Sequence, residues 1–177
     1  MTSLLGISGS LRKEATNTKL IRAAAKIYAP DTFTEADLNL PLYNGDVEEA
    51  TGIPAEVATL AREIANADAV IIATPEYNKS IPGVLKNALD WISRTEDAPW
   101  ADKPVAIMSA TAGRAGGERA QFALRLCMMP FRPLILQGPE VLVAQSFSAF
   151  DADGNLPESY EKPLTELMMA LRKAADK

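Results

Sequence analysis

One pattern runs through the chain five times: a short stretch that reads as a strand, then a longer segment whose apolar residues recur at helical spacing. The strand stretches cover 2–8, 32–38, 68–75, 103–111 and 133–144, of which 32–38, TFTEADL, shows alternation and not an apolar run; the helical segments cover 16–29, 54–67, 81–94, 117–129 and 157–175. Strands buried on both faces read as unbroken apolar runs, whereas amphipathic helices repeat apolar positions every three or four residues. Strict alternation of the two predicts a doubly wound α/β fold, with a parallel sheet, helices on both faces and right-handed crossovers. We expect a single domain over 1–177 with five strands in the order 2-1-3-4-5.

Local signals support these boundaries. Thr16 or Asn17 is a candidate N-cap and Pro30 stops the first helix. Pro54 and Pro82 stand near helix starts, where a missing amide does no harm. The stretch 40–52, with its Pro, Asn-Gly and acidic residues, reads as a surface loop. The fifth strand should be interrupted near Gly138 and Pro139. In such folds ligands bind beyond the carboxyl ends of the strands. Three loops leave that edge, 8–17, 74–82 and 109–117, and together they define one expected pocket.

Composition excludes several chemistries. The formal net charge of -5 argues against a nucleic-acid partner, which needs clustered positive charge. The chain has no histidine, which removes Ser-His-Asp and Cys-His catalysis and most zinc sites, so no metal site is expected. The single cysteine, Cys127, has no CxxC partner and reads as a core residue. The first apolar run is too short for a secretion signal or a spanning helix, so the expected location is cytoplasmic, with no membrane partner. The stretch 150–158 contains DADGN but lacks calcium-loop spacing, and reads as a turn.

The first loop, GISGSLRKEATNTKL, offers hydroxyl and amide donors from Ser8, Ser10, Thr16, Asn17 and Thr18 near a helix N-terminus. Free amides and the helix dipole favour an anion there, and Arg12 can add a charge-assisted clamp. The loop is neither GxxxxGK[ST] nor GxGxxG, so a terminal monophosphate suits it better than a pyrophosphate. A polar turn with an N-cap is the plain alternative. GSLRKEATNTKL resembles the GSLRxxSxN phosphate loop of the NADPH-dependent FMN reductase family, with Thr16 where many members carry Ser.

The second loop, PEYNKSIPGVLKNALDW, resembles the second signature of that family nearly residue for residue. Tyr77 is able to cover an aromatic ring, and Asn78 both donates and accepts at a heterocycle edge. The resemblance implies that Pro75, Glu76, Tyr77 and Asn78 line the isoalloxazine of FMN, largely through backbone groups. Glu76 more plausibly orients a loop or pairs across a subunit than serves as a base, because hydride transfer to flavin needs no protein base at the receiving atom. Lys86, Asp90 and Arg94 share a helix face, as a solvated stripe, an oligomer contact or an acceptor site. Arg94 is the expected catalytic cation, placed to attract anionic substrates.

The third loop, SATAGRAGGERAQ, has a similar S-x-x-x-G-x-x-G-G segment in the family. By that resemblance Ser109, Ala112 and Gly113 contact flavin or border its pocket. Arg114 and Arg119 are candidates for dinucleotide phosphates, or are surface arginines.

The resemblance covers nearly the whole chain and implies a flavodoxin-like fold. It implies an enzyme that takes hydride from NAD(P)H onto bound FMN and then reduces quinones, free flavins, chromate, ferric complexes or azo compounds by a ping-pong mechanism. NADH and NADPH both fit. An electron-carrier flavodoxin and a redox-sensing flavoprotein are the alternative readings. The family also implies a homodimer or homotetramer, and Trp91 and Trp100 are expected at an interface, where exposed aromatics concentrate.

Overall fold

In the computed structural model, which describes residues 1–176, each of the five strand stretches forms a strand, the last of them two. These are β1 (Ser3–Ser8), β2 (Thr32–Glu35), β3 (Ala69–Thr74), β4 (Pro104–Ala110), β5 (Leu134–Ile135) and β6 (Val141–Val143). The intervening helices are α1 (Thr16–Tyr28), α2 (Gly45–Thr51), α3 (Ala55–Asn66), α4 (Gly83–Ile92), α5 (Glu118–Met128), α6 (Ser146–Ala149) and α7 (Glu158–Ala175). All pairings are parallel and run β2-β1-β3-β4-β5. The fifth position is filled twice. β5 pairs with the start of β4 and β6 with its end, and the interruption expected at Gly138 and Pro139 falls between them as a cis peptide bond.

Strand periodicity sorts the core into two layers. Leu4, Ile71, Ala73, Ala106 and Met108 point to the face covered by α1 and α7. Their neighbours Leu5, Val70, Ile72, Val105 and Ile107 point to the face covered by α3, α4 and α5. Each fully buried Leu or Ile side chain contributes about 1.5–3 kcal/mol, so β3 and β4, buried along their whole length, anchor both layers. Among the described residues, no helix is long and apolar enough to cross a membrane.

Two expectations change. The stretch 40–52 is not all loop. Asn44 accepts from the Asp46 amide at 3.0 Å and, with an acidic first turn, starts the short helix α2. Trp91 and Trp100 are buried rather than exposed. Trp91 lies three positions beyond Ala88, on the stripe that α4 turns inward, and its indole donates to the Pro41 carbonyl at 2.7 Å. Asn87 donates to the same carbonyl at 3.0 Å and accepts from the Tyr43 amide at 2.9 Å. Much of LKNALDW therefore holds the segment after β2 against α4.

Candidate active site

The carboxyl ends of β1, β3 and β4 meet at one edge of the sheet. Gly9 sits where the first two loops touch. A Cβ there would lie 3.0 Å from Pro75 Cδ and 3.2 Å from Pro82 Cγ, so only glycine allows that approach without displacement. The Gly9 amide donates to the Ala73 carbonyl at 2.8 Å, tying β1's exit to β3. The cleft formed here, about 150 Å³, is lined by Ser10, Arg12, Thr16, Asn17, Pro75, Glu76, Tyr77 and Ala112. Ala15, Ala110, Thr111, Ser146 and Phe147 complete it, together with Glu14. A larger cavity of about 580 Å³ lies between the C-terminal halves of α4 and α5. It holds none of the three loops' residues.

α1 begins with its amides open. Its N-cap is Ala15, which has no side chain able to cap, and the first turn carries no acidic residue. Among the described residues the Thr16, Asn17 and Thr18 amides find no acceptor. Unfilled donors with the positive end of the helix dipole behind them suit a phosphate group. Arg12 lines the same cleft with its side chain free of any ion pair among the described residues. This donor set fits the terminal phosphate of FMN.

The loop's side chains mostly brace it. The Asn17 carboxamide donates to the Ala110 carbonyl and accepts from the Ala110 amide, both at 2.9 Å. β3's pairing with β4 ends at Thr74 opposite Ser109, and the carboxamide of Asn17 pairs with the next peptide as a further strand would. Thr18 donates to the Ser8 hydroxyl at 2.9 Å, and Thr16 to the Ser146 hydroxyl at 3.1 Å. Asn17 and Thr18, expected as cofactor ligands, thus offer their backbone amides, with their side chains spent on the scaffold.

In the second loop Tyr77 and Ser80 exchange backbone hydrogen bonds, both at 3.0 Å, around Asn78 and Lys79. Both central residues have positive φ, 51° and 65°, as in the primed turns of tight hairpins. This hairpin presents Tyr77, 51% exposed, to the cleft. Phe147, 73% exposed, lines it as well, from the short helix α6. Sequence reasoning missed Phe147. The usable signal was a Gln-Ser-Phe-Ser stretch directly after the last strand, on the ligand-binding edge.

In the third loop Ala112 lines the cleft and Gly113 has open space around its Cα. Ser109 departs from expectation. It is fully buried, donating to the Gly116 carbonyl at 2.6 Å and accepting from Gln121 at 2.9 Å, so its hydroxyl shapes the glycine turn instead of meeting a ligand.

Arg94 departs further. It follows α4, whose ten residues span about 15 Å from a first turn beside the cleft. Its guanidinium donates to Glu48 at 3.0 and 3.1 Å, and the Tyr43 hydroxyl donates to the same carboxylate at 3.0 Å. The hydrogen bond to Glu48 is the main reason that Arg94 and the Tyr43 phenol are both held above their ordinary pKa. Within this chain Arg94 thus closes a network on α2 and does not line the cleft. Lys86 and Asp90 are likewise paired, at 2.7 Å.

A parallel sheet wound in this order, with an open helix N-terminus and an aromatic hairpin at its carboxyl edge, defines a flavodoxin-like mononucleotide-binding protein. The chain belongs to the NADPH-dependent FMN reductase family, whose model matches residues 2–148, and is an oxidoreductase. FMN and NAD(P)H are the cofactor and reductant that membership brings. It is 43% identical over 165 residues to an NAD(P)H-dependent FMN reductase of Pseudomonas aeruginosa, covering 92% of this chain and 89% of that protein. It is 44% identical over 138 residues to a quinone reductase of Escherichia coli, covering 76% of this chain and 73% of that protein. Among solved structures it superposes with TM-score 0.88 on FerB, a flavoenzyme NAD(P)H:(acceptor) oxidoreductase from Paracoccus denitrificans, at 31% identity, covering 99% and 98% of the two chains.

Proposed function

We propose that this chain, as one flavodoxin-like domain, reduces quinones and related small acceptors with electrons from NAD(P)H, the two substrates using one cleft in turn. The observation that carries the reading is the convergence, on one sheet edge, of the open N-terminus of α1 and the Tyr77–Ser80 hairpin. Bound FMN supplies the hydride and electron chemistry. The Thr16, Asn17 and Thr18 amides and Arg12 hold its phosphate, and Tyr77, Asn78 and the backbone at Ala112 and Gly113 border its ring. Because no titratable side chain is required at the reacting atoms, the protein's work is binding, orientation and proximity. Quinones head the list of acceptors because a curated relative carries that activity in its name; free flavins, chromate, ferric complexes and azo compounds are the further candidates.

Protein loaded with FMN should stay yellow through desalting, and initial rates with varied NADH and 1,4-benzoquinone should give parallel double-reciprocal lines. A colourless protein would remove the flavin reading. Intersecting lines would remove the alternating use of the cleft.

The proposal includes assembly as a homodimer or homotetramer. The buried tryptophans do not support it, but α5 does. Phe122, Leu126 and Met129 stand exposed at helical spacing along one side, next to the large cavity between α4 and α5. Light scattering at micromolar concentration should report at least two chains per particle; a monomer would refute assembly.

A further inference from the structure

Two of the helices that start at this sheet edge, α1 and α5, are treated differently. The N-terminus of α1 is open. The N-terminus of α5 is filled by the chain itself. The N-cap of α5 is Gly117, with φ 96° and no capping side chain. No other residue fits at 117, since a Cβ there would lie 2.8 Å from both Cβ and Oγ of Ser109. An N-cap side chain normally accepts from the second or third amide of its helix. Here that acceptor comes from 44 positions earlier: Glu76 Oε2 takes the Ala120 amide, the third of α5, at 3.2 Å. The other oxygen lies 3.9 Å from the Arg119 guanidinium, and the Glu76 side chain is only 17% exposed.

We infer that Glu76 is a positioning residue, which caps α5 from the second loop and so fixes where Tyr77 and Asn78 stand over the ligand. The argument rests on the flavin reading above. The hairpin that follows Glu76 is rigid, closed by two backbone bonds with both central residues at positive φ. A rigid hairpin moves as a unit, so a single tether at its base sets its angle. Pro75, on the other side, restricts the backbone entering Glu76. The carboxylate also occupies the anion-binding end of α5 and draws Arg119 toward it. Of these two helix ends, only that of α1 is then left open to the phosphate.

Glutamine at 76 keeps an oxygen for the Ala120 amide and loses only the charge; alanine loses both. The full chain is titrated with FMN, and visible circular dichroism of the bound flavin reports its asymmetric surroundings. Glu76→Ala should weaken FMN binding about tenfold, the equivalent of one lost hydrogen bond to a charged group, and change the dichroism bands. Glu76→Gln should stay within about threefold of the parent and restore both bands and turnover with NADH and 1,4-benzoquinone. Unchanged affinity and bands in Glu76→Ala would overturn the inference, as would a Gln variant as impaired as the Ala variant. If Glu76→Ala does not fold, Glu76→Met, of similar length but with no oxygen for the Ala120 amide, takes its place: it should show the same loss, and unchanged affinity and bands in it would overturn the inference. A parent protein that never retains FMN would be a failure of the flavin reading itself, seen before any variant is made.

Discussion

Asn17→Ala is expected to cost about 2–5 kcal/mol of stability and to strip FMN from the protein. The carboxamide makes two buried hydrogen bonds to the peptide of Ala110. Alanine leaves both the amide and the carbonyl of Ala110 without partners, and each buried orphan costs about 1–3 kcal/mol. For a chain of this size, 1 kcal/mol moves Tm by about 2–4 °C, so the apoprotein's Tm should fall by roughly 4–20 °C. The effect on the ligand follows from the same bonds. Asn17 stands in the first turn of α1, so its tie to β4 fixes where the open amides point relative to the third loop. Asn17→Asp separates the two functions of the carboxamide. A carboxylate still accepts from the Ala110 amide but cannot donate to its carbonyl, and it brings a buried charge, so it should not rescue. A Tm within about 2 °C of the parent for either variant would show that the clamp does not carry the loop.

Asn17 also shows how far a sequence reading reaches. Its neighbourhood was legible: a hydroxyl- and amide-rich stretch after an apolar run, ahead of helical spacing, belongs at the ligand edge of a parallel sheet. What its side chain touches was not, because the partner lies 93 residues away and is a backbone group that any residue type supplies. Ser109 followed the same course. The family resemblance put it at the flavin pocket, yet its hydroxyl turns inward to hold Gly116. Trp91 failed for a different reason. Aromatic content was read as exposure, although its spacing from Leu85 and Ala88 already placed it on the buried stripe of α4. β1, β3 and β4 were legible because burial on both faces leaves an unmistakable apolar run, whereas β2, exposed or half-buried throughout, showed only as alternation. The short helices α2 and α6 carry too few residues to develop a period, and only Asn44 before an acidic turn marked the first. For Arg94, charge and helix face were visible, but Glu48 as its partner depends on how the segment after β2 folds back on α4.

Ala15→Asp should move stability and ligand binding in opposite directions. Ala15 is the N-cap of α1 with extended backbone, φ -68° and ψ 129°, and it lines the cleft. A carboxylate here can accept from the Asn17 or Thr18 amide and face the helix dipole, which stabilises a helix by about 0.5–2 kcal/mol. The apoprotein should therefore melt a few degrees higher, at about 2–4 °C per kcal/mol. The same amides are the ones assigned to the FMN phosphate. With an acceptor already on them and a negative charge beside the phosphate, two charge-assisted hydrogen bonds worth about 1.5–3 kcal/mol each are lost, and FMN affinity should fall by about 100-fold or more. Ala15→Asn supplies the cap without the charge. It should match the stability gain and lose less affinity, which separates competition for donors from electrostatic repulsion. Fluorescence titration with FMN and calorimetry on the apoprotein read the two effects independently. A helix whose first turn is left uncapped gives up stability that a single substitution restores, and such a feature persists where function needs the open donors. If Ala15→Asp gains stability and still binds FMN as tightly as the parent, the phosphate sits elsewhere and the open end of α1 has no part in holding it.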